Sequence, residues 1–139
     1  MKILIMGLPG SGKTTLAEQL ADRLPAVWFN ADEIRNNVNK DLSFSDNDRI
    51  EQARRMSLLC DIALRNRVVS YTIADFVCPT DQTRKTFSPD IIIWMNTIQK
   101  GRFQDTNKIF EKPDFYNIEI TTWDYDINNI FEQIKLHDR

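Results

Sequence analysis

Apolar and polar positions fall in blocks along this chain, and the blocks switch between two periods. Ile3 to Met6 is a continuous apolar run, the pattern of a strand buried on both faces. From Thr14 to Leu24 the apolar residues Leu16, Ala17, Leu20, Ala21 and Leu24 recur at helical spacing, and Pro25 ends the pattern. Ala26 to Phe29 predicts a short strand, and Asn30 caps a turn that carries Asp32 and Glu33. Residues 36–46 are mostly polar, with Leu42 and Phe44 set among them, and predict a loop. The cap cluster Ser45 to Asp48 opens a long helix running to about Arg67, with Ile50, Ala53, Met56, Ser57, Cys60, Ala63 and Leu64 on one face.

Val68 to Ala74 is rich in β-branched residues and predicts a central strand with Asp75 at its C-terminal end. Pro79 opens a short helix to about Phe87. Ile91 to Met95 is a second fully apolar strand. Residues 96–113 are polar and predict an irregular loop or short lid. Asn117 to Thr122 reads as the last strand, and Asp126 caps a final helix with Ile127, Ile130, Phe131 and Ile134 facing inward. Strands alternating with helices predict an α/β fold: a doubly wound parallel sheet of about five strands with helices on both faces. In such sheets ligands lie beyond the C-terminal strand ends, where Gly7, Asn30, Asp32, Asp75 and Asn96 fall.

The first of those strand ends carries a motif. Gly7, Leu8, Pro9, Gly10, Ser11, Gly12, Lys13 and Thr14 fit G-x-x-x-x-G-K-[ST], and Thr15 follows. Glycines let the loop curl so that successive N–H groups face an anion, and the next helix points its positive end at the same place. Lys13 reaches the β- and γ-phosphates, and the Thr14 hydroxyl suits Mg²⁺. The motif stands in its required strand–loop–helix context, so the chain is expected to bind a nucleoside triphosphate with Mg²⁺. Three of the chain's four glycines lie in this loop, and the fourth is Gly101.

Composition narrows the picture further. A chain of 139 residues predicts one domain, 1–139, with one real core. A net charge of −2 argues against broad nucleic-acid binding. No apolar run approaches the ~20 residues needed to span a membrane, and the apolar start is too short for a signal peptide. Cys60 and Cys78 have no metal or redox spacing and predict two reduced thiols. The expected localisation is therefore cytoplasmic. His137 sits among polar residues and reads as solvated.

A second stretch, residues 28–55, closely resembles the adenylylsulfate (APS) kinase family. There the second strand ends in Asp-Gly-Asp-Asn-hydrophobic-Arg, followed by Leu-Asn-x-Asp-Leu-x-Phe-Ser, Asp-Arg and Glu-Asn-x-Arg-Arg. Here the matching residues run from Asn30 through Arg35, Asn39, Asp41, Phe44 and Arg49 to Arg55. Phe76-Val77-Cys78-Pro79 is similar to the family's Phe-Ile-Ser-Pro; Lys100-Gly101-Arg102-Phe103 and Glu111-Lys112-Pro113 are similar to its Lys-Gly-Phe and Glu-Lys-Pro.

The resemblance implies a P-loop kinase-like fold and, with ATP and Mg²⁺, transfer of the ATP γ-phosphate to the 3′-hydroxyl of APS, giving PAPS. It implies that Asp32 stands beside the reacting hydroxyl and that Arg35 and Arg49 hold the phosphosulfate. Phe44 and Phe103 match the pair that sandwiches the acceptor adenine. Asn39, Gln52, Val77, Cys78 and Lys100 are expected to line the same pocket. Members of the family often form homodimers, although no apolar stripe in this chain demands one. The chemistry is coherent on its own terms: aromatic faces suit a planar base, guanidinium forks suit a phosphosulfate, and a carboxylate suits a hydroxyl nucleophile.

Three departures from the family stand out: Asn30, for which Asp75 is expected to compensate, a short lid, and Ala31, Ser43 and Gln52, which replace smaller or differently shaped family residues in the acceptor pocket. Asn30 replaces the first aspartate of the pair, and an amide cannot take up a hydroxyl proton. Asp75 stands where the family usually has Ser, and is expected to organise Mg²⁺ with Thr14 while Asp32 meets the acceptor. The segment before Phe103 is short and keeps only Lys100 and Arg102 as basic residues. Two other readings stay open at this point: a kinase for another small hydroxyl-bearing acceptor, and a nucleotide-binding module that has lost catalysis.

Overall fold

In the computed structural model, which describes residues 1–138, the strands are β1 (Lys2–Met6), β2 (Ala26–Asn30), β3 (Tyr71–Asp75), β4 (Ile91–Met95) and β5 (Ile118–Ile120). The helices are α1 (Lys13–Ala21), α2 (Ala31–Asn37), α3 (Asp46–Arg65), α4 (Asp81–Phe87), α5 (Gln104–Ile109) and α6 (Ile127–His137). All pairings are parallel, in the order β2-β3-β1-β4-β5. The central position of β1 suits its sequence, because the apolar run Ile3 to Met6 can be covered on both faces. Ile3 and Ile5 pack with Leu16, Leu20, Ile73, Ile93, Ile130 and Ile134 on the α1/α6 side. Leu4 and Met6 pack with Met56, Cys60, Phe76, Phe87 and Trp94 on the α3/α4 side.

Caps set the helix starts. Ser45 accepts from the Asp48 N–H, Thr80 from Thr83 and Asp126 from Asn128. The expected central strand is shorter than its β-branched run. Val68 is 84% exposed and Arg67 takes φ 59°, so residues 68–70 belong to the turn leaving α3, and pairing starts only at Tyr71. Propensity favoured a strand there, but there is no neighbouring strand to pair with that early in the register.

The segment 96–113 is also more ordered than its polarity predicts. It contains α5, with Thr106 as its buried residue. The Asn107 side chain clasps the Gly101 backbone in both directions, at 2.7 and 3.1 Å. A Cβ on Gly101 would lie 3.0 Å from the Pro9 carbonyl oxygen, so the segment rests directly on the anion loop. A short polar helix shows no periodicity to read, and its contacts to other elements hold it. Cys60 and Cys78 are buried free thiols, as expected; burial pushes their pKa values up to about 11 and about 12.

Candidate active site

The anion loop joins β1 to α1 and obeys close steric limits. A Cβ on Gly7 would lie 2.7 Å from both the Met95 carbonyl oxygen and Ser11 Oγ. Gly12 takes φ 98°, and a Cβ there would strike the Trp123 ring at 2.5 Å. Glycine meets both demands because it has no side chain and tolerates positive φ. Thr97 Oγ1 donates to the Ser11 carbonyl at 2.7 Å, fixing the loop from the β4 side. The Lys13 ammonium is buried and donates to the Leu8 carbonyl at 3.0 Å. Burial pulls its pKa down, Asp75 and then Asp32 oppose the shift, and Arg102 adds to it.

At the ends of β2 and β3 the register sets Asn30 opposite Asp75. Asp75 is 2% exposed, and its Oδ2 accepts from Asn30 Nδ2 at 2.8 Å, Trp28 Nε1 at 3.2 Å and Thr14 Oγ1 at 3.2 Å. Burial pushes the Asp75 carboxyl up; the Asn30 N–H, the Lys13 charge and the Trp28 and Thr14 donors offset that. The Asn30 side-chain oxygen Oδ1 accepts from the Glu33 N–H at 2.9 Å and so caps α2. Its amide therefore faces Asp75 with a donor.

One cavity of about 920 Å³ spans this centre and a second lobe. Lys13, Thr14, Thr15, Asn30, Asp32 and Asp75 line the first part; Arg35, Asn39, Phe44, Arg49, Gln52 and Phe103 line the second. The Arg35 guanidinium lies 4.3 Å from the Phe44 ring centroid and Arg49 5.4 Å. Arg35 donates to the Ser43 carbonyl at 3.0 Å, Arg49 to the Phe44 carbonyl at 3.0 Å and to Thr106 Oγ1 at 3.3 Å. Burial lowers the pKa of both arginines. Phe44 and Phe103 are 66% and 57% exposed.

Asn39 and Gln52 are buried behind them. Asn39 Nδ2 donates to Gln52 Oε1 at 2.9 Å, which leaves Gln52 Nε2 buried without a partner. Arg55 ties Asn39, Asp41 and Glu51 together and so fixes the Phe44 loop on α3. The Glu51 carboxyl is pulled down to about 2 by its bonds to Arg54 and Arg55.

The structure thus gathers most of the residues read from the sequence around one cavity. Gly7, Leu8 and Ser11 are buried within the loop and Lys100 is exposed, and none of the four lines the cavity. Val77 and Cys78 line it near Pro79. Four residues were missed. Trp28 sits in a strand that reads as plain core. Trp123 follows β5 at a C-terminal strand end, a position that topology alone marks. Arg102 faces the cavity where Lys100 does not. Arg84 is 5% exposed and donates to the carbonyls of Cys78, Pro79 and Glu111, joining the cavity wall to the end of the lid segment; nothing in a short polar helix marks it in advance.

Thr14 and Asp75 offer a hydroxyl and a carboxylate within 3.2 Å of one another at the cavity wall. This hard-oxygen pair fits Mg²⁺, which takes one or two protein ligands beside substrate phosphates.

A sequence model described as adenylylsulphate kinase matches residues 1–112. The chain is 33% identical over 117 residues to an adenylyl-sulfate kinase of Bacillus pumilus, covering 81% of this chain and 53% of the relative. It is 32% identical over 99 residues to one of Clostridium kluyveri, covering 65% of this chain and 49% of the relative. The chain thus spans about half the length of the curated relatives it matches. The fold is similar to that of the Mycobacterium tuberculosis APS kinase in complex with AMPPNP and APS, with a TM-score of 0.70, 20% identity and coverage of 98% of this chain and 95% of that one. A shikimate kinase from Aquifex aeolicus shares it more loosely, with a TM-score of 0.56, 14% identity and coverage of 98% and 94%. Because the match takes in residues 1–112 of 139, including the anion loop and both lobes' β2–α3 wall, the chain belongs to the adenylylsulphate kinase family.

Proposed function

We propose that this chain is a kinase that moves the γ-phosphoryl group of ATP to the 3′-hydroxyl of adenylylsulfate, with Mg²⁺ bound at Thr14 and Asp75. The observation that carries the reading is the second lobe. Two arginines and an exposed phenylalanine share one wall, and the unpartnered Gln52 Nε2 is buried in that same wall. A planar base linked to an anionic group meets each of those needs.

The donor phosphates rest on the loop N–H groups, and Lys13 exchanges its Leu8 carbonyl for phosphate oxygens. The Trp123 indole, seated on Gly12 and 58% exposed, offers a flat face for the donor base. Mg²⁺ supplies charge neutralisation across the donor phosphates. Arg35 and Arg49 orient the acceptor so that its hydroxyl meets Asp32. Asp32 accepts the hydroxyl proton as the oxygen–phosphorus bond forms, and the bond to ADP breaks. Asn30 cannot act as this base, because an amide does not take up a proton and its side chain is committed to Glu33, Asp75 and Thr14.

A second reading, a related kinase with a different hydroxyl acceptor, is favoured by the short lid segment, where Arg102 is the only basic residue of residues 96–113 that lines the cavity. The deciding experiment incubates protein, labelled ATP and Mg²⁺ with APS and with a panel of nucleosides and sugars. PAPS formation supports the proposal. Another phosphorylated product supports the second reading, and nucleotide binding without transfer to any acceptor refutes both.

A further inference from the structure

The three hydrogen bonds on Asp75 all fall on one oxygen. Oδ2 takes the N–H groups of Asn30 and Trp28 and the hydroxyl of Thr14. Oδ1 takes no hydrogen bond among the described residues, and it is not one of the side-chain atoms sealed from solvent. The donors come from a simple piece of strand geometry. Trp28 and Asn30 are two residues apart on β2, so their side chains leave the same face. In register, Trp28 lies opposite Ile73 and Asn30 opposite Asp75 on the neighbouring parallel strand. Both reach forward to the same carboxylate. Each is independently held: the Asn30 side-chain oxygen Oδ1 caps α2, and the Trp28 ring packs against the apolar cluster between the sheet and α1. An indole N–H that spends its one donor on a carboxylate at the mouth of an anion loop is a specific arrangement, because Trp at a core position ordinarily needs only some nearby acceptor.

We propose that Trp28 and Asn30 are positioning residues that pin Asp75 through Oδ2, hold the carboxylate in one orientation beside Thr14 and leave Oδ1 unpaired. They act through Asp75 and do not touch the substrate. A carboxylate free to rotate would offer either oxygen; one with Oδ2 held by two rigid arms offers Oδ1 in a single orientation. Outer-shell partners of this kind commonly govern roughly 10- to 100-fold in metal affinity. The inference rests on the reading that Thr14 and Asp75 serve the donor phosphates, and it is independent of which acceptor is phosphorylated.

The test uses the full chain, Mg²⁺ and ADP, with no acceptor present. The chain has three tryptophans, so its indole N–H groups give a small, assignable set of NMR signals. Expected are a Trp28 signal that moves in the Asp75→Ala variant, and that moves again in the wild-type chain when Mg²⁺ is added to the ADP complex. The Trp28→Phe variant keeps a ring and loses the donor; it should need about 10-fold more Mg²⁺ for the same ADP binding, with ADP affinity in EDTA unchanged. The inference is overturned by a Trp28 signal indifferent to both Asp75→Ala and Mg²⁺, or by a folded Trp28→Phe variant with wild-type Mg²⁺ dependence. Should Trp28→Phe not fold, the wild-type and Asp75→Ala signals decide alone. A chain that passes this test and makes no PAPS would refute the proposed acceptor and leave the positioning role standing.

Discussion

Replacing Asn30 with Asp restores the residue type that the family carries at this position, and here it should damage the protein. The amide nitrogen that donates to Asp75 at 2.8 Å becomes a second carboxylate oxygen facing the first. A charge-assisted hydrogen bond worth about 1.5–3 kcal/mol is lost. Two unit charges at that distance repel by about 6 kcal/mol at an effective dielectric constant of about 20. The pair escapes most of that by sharing a proton, which leaves a net loss of about 3 kcal/mol at pH 8. For a chain of this size the loss lowers Tm by about 10 °C. The pH dependence has a definite sign. Sharing raises the folded-state pKa of the pair above its unfolded value, so the folded state binds the extra proton more readily. The stability is present below the unfolded carboxyl range and is lost as pH rises through the raised pKa. The deficit should therefore be small near pH 4.5 and full at pH 8, measured by thermal unfolding followed by circular dichroism. If Asn30→Asp unfolds like the wild-type chain at pH 8, or its deficit does not shrink toward pH 4.5, the account of this centre is wrong.

Other outcomes follow from the same structure. Asp75→Asn keeps an acceptor for Asn30, Trp28 and Thr14 and removes a charge whose pKa burial raises; because that raised pKa costs the folded state stability as pH climbs, the variant's Tm relative to wild type should be higher at pH 8 than at pH 4, while its Mg²⁺-dependent nucleotide binding weakens. Phe44→Ala removes a largely exposed ring, so Tm should stay within a few degrees, whereas the KM for APS should rise by roughly 5- to 100-fold, the scale of a stacking contact of about 1–3 kcal/mol. Arg84→Ala strips the donors from three carbonyls and should cost about 2–4 kcal/mol in urea unfolding, with part of that loss appearing also as weaker acceptor binding, since the Cys78 wall and Glu111 come free together.

Much of this protein was legible before its fold. Runs apolar at every position forced β1 and β4 to the middle of a two-sided sheet, and the spacing from Gly7 to Thr14 announced an anion loop because only glycines fit its close approaches. The β2–α3 stretch, with Asn30, Asp32, Arg35, Phe44 and Arg49, could be matched to a family because those residues are continuous in sequence. What depends on residues far apart in the chain was not legible. Val68 has strand propensity but no partner strand at that register. Helix α5 has no period of its own and is held by Asn107, Gly101 and Arg49. Trp28 gains its role only when β3 lies beside it, and Trp123 only when its ring meets Gly12. Local pattern determined which segments are strands and helices and which loop takes phosphate, since burial and backbone geometry act over a few residues. Only the tertiary structure decided which oxygen of Asp75 is held and which is free, because that follows from three donors that β2 and α1 bring to the end of β3.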